Sequence, residues 1–457
     1  MTTHIDPGLR TEFAGEVLTP RDPGYDEART IFNAMIDRRP AVIARCANTD
    51  DVARAIGFAR ERGLEVSVRG GGHGVAGKAL VDGGLVVDLR LLNSVTVDPD
   101  ERTARVGGGA VMADLDGATA EYGLATVGGR VSTTGVGGLV LGGGSGWLER
   151  KYGLTCDNLV SAELVTADGS HVRASEEENP ELFWALHGGG GNFGAVTSFT
   201  LRLHPVTTLS IAMLLFPPEA GPDVVPAFRD FMEAAPDEVG GGSEYMLAPP
   251  ADFVPDDLAG RLALGIVVTC LATEPEARAA FAPMTRLGPA GGLVAEMPYT
   301  AVQCMDDDEP GMRNYWTAQH VGELPDEAVA RYCALAEDMI VPSASRHTLL
   351  PLGGAVARGP AEYPVPWRRD PWVVHPLALW DDPADDARAK AWVRDVRASM
   401  KRWSTGSLYL NFIGDEGAER VREGWGDANM RRLADVKRRY DPDNVFRHNQ
   451  NIAPAAA

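Results

Sequence analysis

Residues 69–77 read RGGGHGVAG, a glycine-rich run with one histidine, His73, at its centre. The run follows an apolar stretch, Leu64–Val68, that predicts a β-strand. Gly72–Gly77 has the spacing GxGxxG of a Rossmann loop, in which a helix must begin at once and hold a pyrophosphate at its N-terminus. KALVDGGLVVDL follows instead, and it predicts a loop and then a strand at Gly84–Asp88. The run is therefore not a Rossmann loop, and its histidine needs another explanation.

Glycines are concentrated in the first 200 residues, where each cluster stands next to a predicted strand. The clusters are Gly70–Gly74, Gly107–Gly109, Gly135–Gly146 and Gly188–Gly194. Taken singly, each is explained by a tight turn. Together they indicate loops around one large phosphate-bearing ligand, because backbone N–H groups without side chains in the way can converge on a pyrophosphate. Gly189–Gly194 also has GxGxxG spacing, but it follows a predicted helix and precedes a strand, the reverse of the Rossmann order.

Two other familiar chemistries lack parts that they require. HGGG at His187–Gly190 resembles the oxyanion-hole segment of esterases, which needs a GxSxG nucleophile elbow. Ser145 comes nearest, in GGSGW, but Trp147 stands where the last glycine belongs. The sequence contains no HExxH and no paired-cysteine spacing, so a metal site has no support. Neither a serine hydrolase nor a metalloenzyme is predicted.

Composition and charge argue against several kinds of partner. The chain has 43 basic and 64 acidic residues, a formal charge of −21, and such a field repels nucleic acid and anionic membranes. Its 5 widely spaced cysteines predict reduced thiols rather than a disulfide framework. The start, MTTHIDPGLRTEF, lacks the parts of a secretory signal, and no apolar run approaches the ~20 residues of a membrane helix. We therefore expect a cytoplasmic protein that binds neither nucleic acid nor membrane; its oligomeric state stays open.

Hydrophobic periodicity predicts short α/β units at the start of the chain. Ala41–Arg45 predicts a strand, and Thr49 is the predicted cap of the helix after it. The face of this helix is formed by apolar residues at helical spacing, namely Val52, Ala55, Ile56 and Ala59. VTVDPDERTARV predicts a hairpin, and ADGS turns a second one between SAELVT and HVRAS. Asn179-Pro180 predicts the start of another helix.

The middle of the chain has a different character. Residues 206–405 alternate strands with helical stretches such as Pro325–Met339 and Ala384–Trp403, and they contain few glycines. This mixture predicts a separate α+β domain built on a sheet. The end of the chain turns helical and basic at MRRLADVKRRY and closes with YDPDNVFRHNQNIAP.

Four segments carry a family resemblance. VSVRGGGHGVAG, TGVGGLVLGGGSGWLERKYGLTCDNLVSAELVTADG, LFWALHGGGGNFGAVTSFTLRL and YDPDNVFRHNQNI resemble the berberine bridge enzyme-like flavoproteins of the vanillyl-alcohol oxidase superfamily, most of all the bacterial branch that includes 6-hydroxy-D-nicotine oxidase. The resemblance implies an α+β, two-domain PCMH-type FAD-binding fold. Its FAD domain would be discontinuous, with residues 1–205 and 406–457, and residues 206–405 would form a substrate domain on an antiparallel sheet with helices.

The resemblance also explains the histidine in the opening run. In the family this loop cradles the FAD pyrophosphate, and its histidine, here His73, bonds to the 8α-methyl carbon of the flavin. Imidazole suits this role because its neutral form is well populated near pH 7; the alternative is a histidine that only bonds loop backbone. The family's second attachment point, a cysteine, is replaced here by Val131, so a single covalent link is expected. Cys156 is interpreted as a buried structural thiol.

Further FAD contacts are implied residue by residue. The positions that match the family's motifs, carried over from its pyrophosphate loop to its C-terminal tail, are Arg69, Gly70, Gly71, Gly72, His73, Gly74, Thr133, Thr134, Gly137, Gly138, Gly142, Gly143, Gly144, Tyr152, Gly153, Leu154, Asp157, Gly191, Gly194, Val196, Asn411 and Asn449. For Asn449, scaffolding of the tail is an equal alternative.

Tyr409 is the catalytic candidate. SLYLNF, Ser407–Phe412, alternates like a strand and matches the family's YxN segment, which places Tyr409 and Asn411 on one face. A phenol removes a substrate proton only if its pKa, ordinarily ~10, is lowered. The alternatives are a tyrosine that packs under the flavin or one that orients an amine substrate.

The implied reaction is hydride transfer to flavin N5 from a C–H next to O or N of a small molecule, with O2 as acceptor and H2O2 as product. A dehydrogenase that uses another acceptor is the enzymatic alternative, and a binding protein that kept only the fold is the non-enzymatic one. Substrate choice is expected from Thr348–Val356 and Trp372–Trp380, including His375, although a satisfied sheet histidine also explains that residue. Sugar, alkaloid, polyketide and amine substrates all stay open.

Overall fold

The computed structural model of the protein describes residues 7–456. The strands run in chain order as β1 Glu16–Leu18, β2 Val42–Arg45, β3 Val66–Arg69, β4 Leu85–Asp88, β5 Val95–Asp98, β6 Thr103–Gly107, β7 Leu124–Ala125, β8 Leu159–Val165, β9 His171–Ser175, β10 Ala195–Arg202, β11 His204–Pro205, β12 Thr208–Phe216, β13 Val239–Leu247, β14 Leu262–Cys270, β15 Gly291–Pro298, β16 Arg313–Trp316, β17 Gln319–Val321, β18 Arg346–Pro351 and β19 Trp372–Trp380.

The α-helices are shorter on average at the glycine-rich start than in the second half of the chain. They are α1 Pro7–Glu12, α2 Tyr25–Ala28, α3 Thr49–Glu61, α4 Met112–Ala120, α5 Val136–Gly142, α6 Glu149–Tyr152, α7 Pro180–Ala185, α8 Gly221–Ala234, α9 Glu274–Thr285, α10 Tyr299–Val302, α11 Asp326–Leu335, α12 Gly354–Arg358, α13 Asp386–Met400 and α14 Ala418–Tyr440.

The strands before residue 206 form small sheets around the glycine loops. A four-stranded sheet has the order β1-β2-β4-β3, a five-stranded sheet has the order β5-β6-β10-β8-β9, and β7 pairs with β11. Both predicted hairpins are confirmed, since β5 pairs antiparallel with β6 and β8 with β9. No helix lies between β3 and β4, as the argument against a Rossmann loop requires.

One large antiparallel sheet gathers the strands of the middle region. Its order is β15-β12-β14-β13-β18-β19-β16, with β17 also pairing to β19. Helices α8, α9, α11 and α13 contribute to the apolar core of this region, with Phe228, Phe281, Tyr332 and Trp392 among its buried members. The sheet contains only strands from β12 to β19, but the domain boundaries themselves stay predictions.

Helix α3 shows how local sequence builds these elements. Val52, Ala55, Ile56 and Ala59 have no exposed surface, which confirms the predicted apolar face. The predicted cap is wrong by one residue. Asn48 caps the helix because its side chain accepts a hydrogen bond from the Asp51 backbone N–H at 2.9 Å, and Thr49 is the first helical residue.

Three predicted strands or loops differ in the structure. Ser407–Phe412 is not a strand: Tyr409 is extended, and Leu410–Phe412 forms one turn of 3-10 helix. Thr348–Val356 is a strand only in its first part, because β18 ends at Pro351 and α12 begins at Gly354. The glycine segment at Gly135–Gly146 contains helix α5.

The cysteines are free thiols, four of them buried, and Cys156 is fully buried as interpreted. The cytoplasmic location inferred from them stays a prediction. Within residues 7–456, none of the helices is long and apolar enough to cross a membrane. The absence of a secretory signal was inferred partly from residues 1–6, which lie outside the described residues.

Candidate active site

A cavity of about 420 Å³ lies between the glycine loops and the large sheet. Its loop side is formed by the segments that follow β3 and precede and include α5, and its sheet side by residues of β13, β18 and β19. A volume of this order is typical of small-molecule and cofactor sites. The sequence-predicted site residues can be placed against this cavity.

Most of the predicted residues line the cavity although they are far apart in the chain. They are Gly70, Gly71, Gly72, His73, Gly74, Thr134, Gly137, Gly138, Gly142, Gly191, Gly194, Val196, Tyr409, Asn411 and Asn449. With Gly108, which also lines the cavity, all four glycine clusters and the C-terminal segment therefore meet at one place. That each of these residues contacts FAD stays a prediction.

The other predicted contact residues do not line this cavity, and their contact with FAD stays a prediction that the cavity does not support. They are Arg69, Thr133, Gly143, Gly144, Tyr152, Gly153, Leu154 and Asp157. Arg69 is turned away and donates hydrogen bonds to the carbonyls of Ala28 and Thr30 at 2.5 and 2.6 Å. Asp157 pairs with Arg368 at 2.7 Å.

The remaining predicted residues that do not line the cavity pack against residues outside it. Tyr152 stacks on His204 with ring centroids 3.9 Å apart, and Leu154 is fully buried in a separate apolar cluster. A Cβ on Gly153, which follows α6, would lie 2.7 Å from Asp157 Oδ2. Gly143 packs against Trp367, whereas Gly144 acts through its backbone N–H. The Thr133 carbonyl oxygen lies 3.4 Å from the position that a Cβ atom on Gly71 would occupy.

Two glycine segments touch where the loop after β3 meets the start of α5. A Cβ atom on Gly71 would lie 2.6 Å from Gly135 Cα, and one on Gly135 would lie 2.5 Å from Gly71 N. Real Cβ atoms do not approach backbone so closely, so only glycine fits at either position. The glycines bring two backbone segments together beside the cavity.

His73 has an unmatched ring nitrogen beside this contact. Its ring stacks on Phe32 with centroids 3.8 Å apart and planes 15° apart, and Trp316 lies 6.3 Å away. Its Nε2 atom is buried and has no hydrogen-bond partner within residues 7–456. Burial lowers the pKa of His73 to about 4, so the ring is neutral at pH 7. Buried polar atoms are rarely left unpaired, and a bond to a ligand would satisfy this one.

Comparison with known proteins agrees with this geometry. The family described as "FAD binding domain" matches residues 40–175, and the family "Berberine and berberine like" matches residues 408–453. (R)-6-hydroxynicotine oxidase of Paenarthrobacter nicotinovorans is 34% identical over 452 residues, which cover 96% of this chain and 97% of that protein. The chain belongs to the berberine bridge enzyme-like family.

Solved structures of the family share the whole fold. 6-Hydroxy-D-nicotine oxidase from Arthrobacter nicotinovorans has a TM-score of 0.85 and 31% identity, with 97% of this chain and 98% of that chain covered. The berberine bridge enzyme-like protein 1 of Physcomitrella patens has a TM-score of 0.87 at 20% identity, with 98% and 99% covered, and it shows the fold alone. The protein is an FAD-dependent oxidoreductase with the PCMH-type fold.

The residues present fit FAD. The side-chain-free backbone at Gly71 and Gly135 suits a dinucleotide, and the neutral Nε2 of His73, unpaired within the described residues, is available to a ligand. When bound, FAD supplies a two-electron acceptor for the hydride of a small-molecule substrate.

Tyr409 is poorly suited to the role of base in this family member. Its hydroxyl oxygen accepts hydrogen bonds from the Asn411 side chain at 2.9 Å and from the Gly144 backbone N–H at 3.1 Å. Asn411 also donates to the Gly138 carbonyl at 3.1 Å, so it links Tyr409 to α5. Burial nevertheless raises the pKa of Tyr409 above its ordinary value. These contacts fit an orienting role for Tyr409, and its part in catalysis stays a prediction.

Alternate residues of the two predicted substrate-facing segments line the cavity. Thr348 and Leu350 of β18 and His375 and Leu377 of β19 line the cavity. His375 Nδ1 lies 2.7 Å from the Thr317 carbonyl, so Nδ1 carries the proton and Nε2 is an acceptor. Burial lowers the pKa of His375 to about 4, which keeps the ring neutral.

Sequence reasoning missed the charged groups of the cavity. Glu244 of β13, Arg346 of β18, Asp306 and Asp308 after α10, and Arg130 before α5 all line it. One signal was present for Glu244, which is the single charged residue in the glycine-rich strand VGGGSEYML. The acidic run at 306–309 was a second signal, but its distance from the glycine clusters in the chain gave no reason to connect them.

Proposed function

We propose that this protein is an oxidase that holds FAD by a covalent bond to His73. It oxidises a C–H bond next to O or N of a small molecule and passes the electrons to O2, with H2O2 as product. The observation that carries the covalent bond is the buried, neutral His73 ring, whose Nε2 has no partner within the described part of the chain. The names of the oxidase relatives support O2 as the acceptor.

Acid precipitation of the purified holoprotein tests the covalent bond. We expect the yellow colour to stay with the pellet and the denatured chain to fluoresce as a flavin on a gel. The variant His73→Ala should release its flavin to the supernatant. His448→Ala is the matched control, because His448 also lines the cavity and should leave the attachment intact. A colourless wild-type pellet, or a coloured His73→Ala pellet, contradicts the bond.

Reoxidation tests the acceptor separately. The flavin is reduced by substrate under anaerobic conditions and then mixed with air-saturated buffer or with a quinone. An oxidase regains its absorbance in air and releases one H2O2 per flavin. Slow recovery in air with fast recovery by the quinone would identify a dehydrogenase of the same fold.

A further inference from the structure

Three side chains on adjacent strands form one polar row on the sheet side of the cavity. Glu244 of β13 lies opposite Thr348 of β18, and Thr348 lies opposite His375 of β19. Residues directly opposite on one sheet face have Cβ atoms about 4.5–5.5 Å apart. All three line the cavity, so the polar row faces any molecule bound there.

Glu244 is the unsatisfied member of this polar row. Thr348 donates its hydroxyl to the His375 carbonyl at 2.9 Å, and His375 is held by Thr317. Glu244 is partly exposed, lines the cavity, and has neither a hydrogen bond nor an ion pair within residues 7–456. Burial raises the pKa of Glu244 above its ordinary value, against the attraction of Arg346. A carboxylate in such a place gains stability from a cationic partner.

The nearest cation is already matched by other carboxylates. Arg346 pairs with Asp306 at 3.4 Å and with Asp308 at 3.0 Å. Burial lowers the pKa of Arg346, but Asp306, Glu244 and Asp308 together raise it above its ordinary value, so it stays charged. The two negative charges of Asp306 and Asp308 thus exceed the one positive charge of Arg346, even without the charge of Glu244.

The other charged and titratable groups around Glu244 do not change this balance. Arg130, on the loop side of the cavity, pairs with Glu149 at 3.2 Å and lies over the Trp147 ring. His375 is neutral because its pKa is lowered by burial. The groups that face Glu244 from β18, from the segment after α10, from the loop before α5 and from β19 therefore leave an excess of negative charge at this end of the cavity.

We propose that Glu244 determines substrate specificity and selects molecules that carry a basic nitrogen next to the oxidised C–H bond. The inference rests on the proposed function and narrows its substrate class. A neutral sugar or polyketide would leave the carboxylate without a partner, whereas a protonated amine would pair with it.

The chemistry balances with Glu244 as the proton acceptor. The substrate ammonium, R2CH–NH2R⁺, gives one proton to the Glu244 carboxylate and becomes a neutral amine with a free lone pair. The C–H bond then breaks, its hydride with both electrons goes to FAD, and the lone pair forms the C=N bond of an iminium product. Water hydrolyses the released iminium to a carbonyl compound and an amine, and O2 takes the two electrons from the reduced cofactor.

Binding of two probes that cannot be oxidised tests the inference without turnover. 2-Phenylpropan-2-amine and 2-phenylpropan-2-ol have the same skeleton and no C–H next to the heteroatom. Their dissociation constants are measured with the holoprotein from the change in flavin absorbance. We expect the amine, which is protonated at neutral pH, to bind about 10- to 100-fold more tightly than the alcohol, as a charge-assisted hydrogen bond predicts.

Two variants locate the preference. Glu244→Gln should abolish the preference for the amine while its affinity for the alcohol stays within a few fold, and Glu244→Asp should restore part of it. Flavin content and the free energy of unfolding establish that each variant is folded. Equal binding of the two probes by the wild type, no saturation by the amine, or a preference that survives in Glu244→Gln would overturn the inference.

The oxidisable partners of the probes separate this inference from the proposed function. These are 1-phenylethylamine and 1-phenylethanol. If the amine probe binds preferentially but neither compound reduces the flavin, the proposed oxidation of such C–H bonds fails for this skeleton while the recognition by Glu244 stands. If the alcohol reduces the flavin and the amine does not, the specificity fails and the oxidase function stands.

Discussion

At the scale of single residues, Asp116 is a buried acid whose proton has a structural use. Gln303 donates through Nε2 to Asp116 Oδ2 and to the Gly129 carbonyl, both at 3.0 Å. The second oxygens of both side chains, Asp116 Oδ1 and Gln303 Oε1, have no partner within residues 7–456. A proton on Asp116 could satisfy both oxygens in a ring of two hydrogen bonds. The pair connects α4 and the residue that follows α10 to Gly129, which lines the cavity.

Replacing Asp116 by asparagine should stabilise the protein at alkaline pH. Burial raises the pKa of Asp116 to about 7 from its ordinary 3.8, so the folded state holds a proton that the unfolded state releases between these values. The free energy of unfolding therefore falls as pH rises through this window. Asp116→Asn keeps a neutral donor there, and urea unfolding should show a gain of about 1–4 kcal/mol at about pH 8 that shrinks toward about pH 4.

The exposed hairpin residue Asp100 provides the control for this comparison. Asp100→Asn should not reproduce the gain in the free energy of unfolding that is expected for Asp116→Asn at about pH 8. An Asp116→Asn protein with the same pH dependence as the wild type would show that the buried carboxyl is ionised throughout.

At the scale of elements, the contact of the β3 loop with α5 depends on the absence of two side chains. Gly71→Ala would place Cβ 2.6 Å from Gly135 Cα, and backbone on both sides must move to accommodate it. We expect a loss of about 1–3 kcal/mol in the free energy of unfolding. A lower flavin-to-protein ratio should accompany it, because both segments border the cavity.

A glycine outside the cavity separates this effect from the general effect of a methyl group. Gly117 lies on the exposed side of α4, and a Cβ there meets nothing within 4 Å. Gly117→Ala should raise the free energy of unfolding by about 0.5–1 kcal/mol and leave flavin content unchanged. Equal flavin content in the Gly71→Ala and wild-type proteins would show that the two segments tolerate separation.

At the scale of the whole molecule, several buried histidines should make the protein sensitive to acid. Burial lowers the pKa to about 4 for His187, His204 and His375, and to about 3 for His320 and His347. None of these five histidines is His73, the residue of the proposed covalent bond.

The direction of this pH dependence follows from the number of protons that the folded and unfolded states bind. Between about pH 6.5 and about pH 4 the unfolded chain binds protons at these histidines and the folded chain does not, so the free energy of unfolding falls as pH falls. Buried carboxyl groups whose pKa is raised by burial, such as Asp116 and Glu244, act in the opposite direction and offset part of this fall. Urea unfolding of the holoprotein at about pH 7 and about pH 5 measures the difference, and an unchanged midpoint would contradict the prediction.

Patterns that depend on neighbouring residues were predicted well. The buried face of α3 and the two hairpins follow from local periodicity and turn residues, which the rest of the protein does not override. The errors occur where the chain meets a distant partner. Tyr409 and Asn411 lie together as predicted, but a hydrogen bond between their side chains joins them and no strand does. The Asn411 side chain also donates to α5, so this segment is shaped by a distant partner.

The site shows the same division. His73 and the glycine clusters were found because their spacing carries information in a single stretch of chain. Whether a motif residue lines the cavity or supports it from behind was not predictable: Asp157 faces Arg368, which lies 211 residues away in the chain. Such choices depend on which side chains are close after folding.

By itself, the sequence determined the kind of protein this is, because four segments, among them the glycine loop that contains His73, resemble the motifs of a flavoprotein family, and each motif lies within one stretch of chain. Only the tertiary structure decided what the cavity could recognise. Sheet register brings Glu244 opposite Thr348 and Thr348 opposite His375, and the segment after α10 neutralises Arg346. The physical reason is that charge balance in a cavity is a sum over groups distant in the chain, and that sum exists only once the strands are paired.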